Sequence, residues 1–193
     1  MRSTITDAQQ QSIADLLVGM KLPVGTGDER SACSIAAINL ALSGRLTDDI
    51  PDCMSDVVGR WIIHAQDVMP EQMRNSQRWK ELLPRAAGTG KLHERKRFAI
   101  ILDWMWDTVL PTLQLMADNG GFGAEWLKMT TERTAESSRA AAEAAEAVAE
   151  AEEVVAVAAR AARAADAAWA ADAAAWERFD PCGVLQRLVE VSE

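Results

Sequence analysis

The chain has 193 residues, 49% hydrophobic and 25% charged, with six Pro and eleven Gly, a folded protein's composition that excludes general disorder. A net charge of −9 speaks against wholesale binding to nucleic acid or an anionic membrane. Three cysteines without paired spacing (Cys33, Cys53, Cys182) fit a reducing compartment rather than a disulfide framework.

The opening "MRSTITDAQQQSIADLLVGM" lacks the apolar run of a secretory leader. No stretch approaches the ~18 consecutive apolar residues of a membrane span. The expectation is a cytoplasmic protein. Thr6 or Asp7 can cap "AQQQSIADLLVGM", where Ile13, Leu16 and Leu17 share a face. "LPVGTGD" reads as a loop, and "SACSIAAINLALSG" as a largely buried helix with Ser31 as N-cap and Gly44 at C′. After "RLTDDIPDCM", Ser55 begins "DVVGRWIIHAQDVM", which ends at Pro70. "EQMRNSQRWKELL" is a short helix stopping at Pro84, and "PRAAGTGK" is a loop. "LHERKRFAIILDWMWDTVL" is a helix closed by Pro111, which itself can start "TLQLMADNGG". Connections this short place successive helices side by side, so residues 1–122 are expected to form an all-α globular head.

Residues 124–179 contain neither Gly nor Pro, and 22 of the 37 residues 139–175 are Ala, the strongest helix former. The pattern predicts an Ala-rich helical segment over 123–179, one very long or kinked helix. Unbroken, it would run roughly 80 Å at ~1.5 Å per residue. Asp180 as N-cap and Pro181 at N1 then start a short amphipathic helix over 180–193. Glu136, Arg139, Glu143, Glu146, Glu150 and Glu153 form a heptad-like wet stripe, while Val148, Val155, Ala162, Trp169 and Trp176 recur by sevens, bulky at all but Ala162. From Arg160 the charges step by three, and the row winds around the axis. Alanine lets helices approach to ~8 Å or closer. Each methyl buries little area, so the few large anchors carry the attraction. The tract reads as a packing helix against the head or a second copy; a free rod and a repeat tract without a role are the alternatives.

Residues 74–97 reverse the local charge. Arg74, Arg78, Lys80, Arg85, Lys91, Arg95, Lys96 and Arg97 stand against Glu81 and Glu94, with Trp79 and His93 among them. A "GTGK" tip beside "HERKR" suits phosphate or an acidic partner; the plainer reading is that these charges neutralise acidic neighbours. "GTGKL" is not a Walker motif, since Arg85 stands five before Gly90 and Leu92 follows Lys91. Direct nucleic-acid binding is not expected, and would fall on residues 74–97 if it occurred. Asp48, Asp49, Asp52 and Asp56 cluster without the Gly and Glu of an EF-hand, and serve equally as helix caps. Cys33, Cys53, His64 and His93 lack metal-ligand spacing, so no metal or cofactor is expected. Trp104 and Trp106 in "ILDWMWDTVL" read first as core residues, yet seven Trp exceed what so small a core needs, and Trp is a frequent interface anchor. The interaction candidates are Arg74, Arg78, Lys80, Lys91, Arg95, Lys96, Arg97, Trp79, Trp169 and Trp176.

The segments "SACSIAAINLALSGRLTDDIPDCMSDVVGRWIIHAQDVMP", "ELLPRAAGTG" and "ILDWMWDTVLPTL" resemble a set of uncharacterised bacterial and phage proteins with a helical head and a variable Ala-rich tail. Some of these are labelled as immunity proteins. The resemblance covers most of residues 30–130 and, by composition, the tail. It implies a phage or mobile-element setting and transfers no residue roles. The expected function is a non-catalytic protein-interaction module, an inhibitor or immunity-type protein acting on a macromolecular target. A self-assembling structural protein joined through its Ala-rich helix is the alternative. A small-ligand or metal-dependent enzyme using Asp48, Asp56 and His64 ranks behind both.

Overall fold

The computed structural model describes residues 5–151 and 173–191. Trp169 and the three-step charge row of residues 160–172 lie outside the described residues. The described chain is all-α apart from one two-stranded hairpin. It divides into two units, residues 1–101 with 170–193, and residues 102–169. The division therefore falls at residue 101 rather than 122, and the C-terminal helix belongs with the N-terminal ones.

In the first unit, α1 (Asp7–Gly19) opens with a capping box. Thr6 Oγ1 accepts the Gln9 N–H at 3.2 Å, and Gln9 Oε1 accepts the Thr6 N–H at 2.9 Å. The expected loop contains β1 (Gly27–Asp28) and β2 (Ser31–Ala32), paired antiparallel. Gly27 is required there: its φ is +80°, and a Cβ would stand 1.9 Å from the Ser31 carbonyl oxygen. The strand takes Ser31 away from the helix it was expected to cap. The cap of α2 (Ser34–Ser43) is instead Cys33, whose Sγ accepts the Ala36 N–H at 3.3 Å. Gly44 ends that helix in the left-handed conformation, as expected.

Ser55 caps α3 (Asp56–Val68), and a short α4 (Glu71–Arg74) leads to α5 (Gln77–Ala87). Pro84 does not stop α5 but lies inside it. An interior proline costs about 3 kcal/mol. Burial of Trp79, Leu82, Leu83, Ala86 and Ala87 around it offsets that cost, and the helix continues to Gly88. Trp79, Ile13, Leu17, Ile35, Ile38, Ile62, Leu83 and Leu185 form a fully buried core. Its polar members are paired. Trp79 Nε1 donates to Ser34 Oγ at 3.0 Å, and Gln66 takes the Ser34 N–H at 2.7 Å while donating to the Pro23 carbonyl at 2.7 Å.

The chain enters the second unit through α6 (Glu94–Trp104), a π-helical turn (Met105–Val109) and α7 (Leu110–Thr112). Pro111 stands in the first turn of α7, the helix-starting role expected of it, yet it does not close the helical path, which runs through it. The π-turn explains why: the Leu110 N–H bonds the Met105 carbonyl five residues back. The extra residue moves the ring off the preceding turn. Helices α8 (Gln114–Asn119), α9 (Gly123–Glu132) and α10 (Ala135–Ala151) follow.

No helix runs unbroken from residue 123, although neither Gly nor Pro intervenes. Arg133 adopts φ +55° and ends α9. Thr134 and Ser137 then cap α10 reciprocally, at 3.1 and 3.2 Å. Arg133 is held by Asp107 and lies 6.0 Å from the Trp106 ring centre. The longest continuous helical run among the described residues has 19 residues.

Helix α11 (Ala173–Phe179) and helix α12 (Pro181–Glu190) complete the first unit, with α12 packed on α3 and α5. Asp180 caps α12 through the Gly183 N–H at 3.0 Å, the expected restart. Among the described residues, no helix is long and apolar enough to cross a membrane.

Candidate interaction face

The segment joining α5 to α6 contains the "GTGK" stretch. It is tied down rather than held out as a tip. The Gly90 N–H donates to the Cys53 carbonyl at 2.8 Å, and Thr89 Oγ1 accepts the Ser55 N–H at 2.9 Å. His93, at φ +65°, turns the chain into α6, and its carbonyl accepts the N–H groups of Lys96 and Arg97.

Within "HERKR" the three consecutive cations divide. Arg97 is fully buried and is the one buried residue of α6. Its Nε donates to the Leu188 carbonyl at 3.1 Å and its Nη2 to the Thr89 carbonyl at 3.0 Å. Its Nη1 serves the carbonyls of Gly90 and Leu92. Glu94 Oε1 lies 3.6 Å from the guanidinium, while Oε2 accepts the Val57 N–H at the start of α3. Burial lowers the Arg97 pKa from its ordinary value, and Glu94 opposes that shift. One guanidinium thus joins the α5–α6 connection, α6 and α12.

Successive helix positions turn by about 100°. With Arg97 inward, Arg95, Lys96, Phe98 and Ala99 are exposed. Phe98 and Leu92 are each 53% exposed, and Arg95, three positions before Phe98, lies one helical turn from it. Among the described residues, no acidic group pairs with Arg95 or Lys96. These side chains are the candidate face.

The other sequence candidates are engaged internally. Arg74 donates to the carbonyls of Leu22 (2.9 Å) and Met69 (2.7 Å), and Lys80 to that of Met20 (2.7 Å). Arg78 pairs with Asp180, and Lys91 with Asp56, both at 2.7 Å. Trp79 and Trp176 are core residues, Trp176 meeting Phe179 edge-on with ring centres 5.9 Å apart. Of the basic run, Arg78, Lys91 and Arg97 thus have acidic neighbours, while Arg74 and Lys80 bond backbone carbonyls instead.

The residues suspected of chemistry are dispersed. Asp48 accepts from Thr26 Oγ1 at 3.2 Å, and Asp49 from Thr47 Oγ1 at 2.7 Å, while His64 is exposed on α3. Burial raises the thiol pKa values of Cys33, Cys53 and Cys182, away from thiolate character. Among the described residues, no three His, Cys, Asp or Glu side chains group as metal ligands. A groove of about 490 Å³ along α1 and α5 is lined by Leu17, Val18, Asn75, Gln77, Lys80 and Glu81. Its polar groups are already engaged, Asn75 with Leu22 and Gln77 with Glu81.

Sequence reasoning missed Leu92 and Phe98 as surface residues, because an apolar residue in a helix is ordinarily assigned to the core. No protein-family model, curated protein or solved structure matches the chain.

Proposed function

We propose that this protein is a non-catalytic interaction module that binds a protein partner through Leu92, Arg95, Lys96 and Phe98. The observation that carries the reading is the exposed Phe98 one helical turn from Arg95, which has no acidic partner among the described residues, on a helix anchored from behind by Arg97. Such a face is ordered before its partner arrives, so less entropy is lost on binding. An aromatic beside Arg is the usual composition of an energetic hot spot, and the charges steer the encounter. An inhibitor or immunity-type protein of a phage or mobile element needs this kind of surface and no catalytic centre. The Ala-rich stretch enters the reading as a long kinked packing helix, supported by its composition and by the helices α10 and α11 at its two ends.

A photoreactive amino acid in place of Phe98 tests the proposal in producing cells. The expected result is a discrete crosslinked protein band that disappears when Arg95→Glu and Lys96→Glu are added. No band, or the same band from a control position at Gln186 on α12, would overturn it.

A further inference from the structure

Building on that reading, we infer that the partner of this face is a second copy of the chain, presenting the exposed glutamate side of α10. Charge is distributed unevenly between the units. Residues 102–169 carry twelve Asp and Glu against five Lys and Arg, whereas eight of the chain's cations lie in residues 74–97. On α10, Ser137 and Ala141 are buried one turn apart, and Glu136, Arg139, Ala140 and Glu143 are exposed. Glu136 and Glu143, with Arg139 between them and Ala140 beside it, make a low-relief surface of net negative charge. Phe98 can lie against the Ala140 methyl while Arg95, one turn away, reaches a carboxylate, and Lys96 adds to the attraction from the flank of α6. The contact gives the exposed ring a cover and Arg95 an acidic partner.

The two surfaces differ, so in a head-to-tail pair one copy keeps a free acidic face and the other a free basic one. Association therefore grows with concentration and weakens as salt screens the charges.

Light scattering on the full chain, over a wide concentration range at low and high salt, is the experiment. The native mass is expected to rise with concentration at low salt and to fall back to monomer at high salt. Arg95→Ser with Lys96→Ser, and separately Glu136→Lys with Glu143→Lys, should each give a monomer at every concentration. All four positions are exposed, and unchanged melting of both variants would show that folding is intact. Mixing the two variants leaves one wild-type basic face and one wild-type acidic face, so a one-to-one dimer and nothing larger should form. A wild-type monomer throughout would overturn the inference, as would assembly that both variants leave intact. A monomer whose Phe98 position still crosslinks to a different protein would remove the second copy and leave the interaction module standing.

Discussion

The two units are held together by different means. The first buries large side chains: Trp79 lies among aliphatic residues from several helices, and Arg97 bridges segments far apart in sequence. The described part of the second buries mostly small ones, with Ala117, Gly123, Ser137 and Ala141 beside Val109 and Met129. Its α7, α8 and α9 carry no side-chain cap bond, whereas α10 has the Thr134–Ser137 cap and alanine's propensity, so much of what stabilises α10 is local to it. Where large groups interlock, one truncation is felt throughout; where small groups do, the loss stays near the site.

The largest effect should come from Trp79→Ala, about 3–5 kcal/mol of unfolding free energy by urea denaturation, because it leaves a cavity and removes the partner of Ser34. A loss below about 1 kcal/mol would break the contrast. Arg97→Met should cost about 3 kcal/mol, since the carbonyls of Thr89, Gly90, Leu92 and Leu188 lose a shared donor. Arg97→Lys should recover only part of it, because an ammonium lacks the guanidinium fork. In the second unit, Thr134→Ala removes a helix cap and should cost about 1 kcal/mol, read in the helical circular-dichroism transition.

The smallest effect is a pH dependence confined to the first unit, which holds all three cysteines. Burial raises their pKa values, so the native state holds the thiol protons more tightly than the unfolded chain does. Below the unfolded value of about 8.5 both states are protonated and stability is unaffected. Above it the unfolded chain ionises first, and stability declines as pH rises. Urea midpoints between pH 7 and 9.5 should show that decline, and a variant with all three cysteines replaced by alanine should lose it.

Several elements were legible from residues alone because their signals act within one turn. Thr6, Ser55 and Asp180 cap helices by hydrogen bonds to N–H groups three residues on, and Gly44 terminates one through its own backbone freedom. Pro84 and Pro111 misled as helix stops, because their local cost is set against burial around α5 in one case and relieved by a π-turn in the other. Pro111 does stand in the first turn of a helix, as expected. The break at Arg133 carried no Gly or Pro to announce it. A left-handed arginine becomes stable only once Asp107 and Trp106 stand beside it.

The basic run was visible in the sequence; its division was not. All-α class, the caps at Thr6, Ser55 and Asp180, the alanine tract and the sign of each charged segment follow from residue chemistry and short-range spacing, which the chain carries with it before folding. Which of Arg95, Lys96 and Arg97 turned inward, and that Phe98 stayed in water, was decided by tertiary structure. Three carbonyls of residues 89–92 and that of Leu188 converge on one point, and the guanidinium of the inward-facing Arg97 supplies donors to all four.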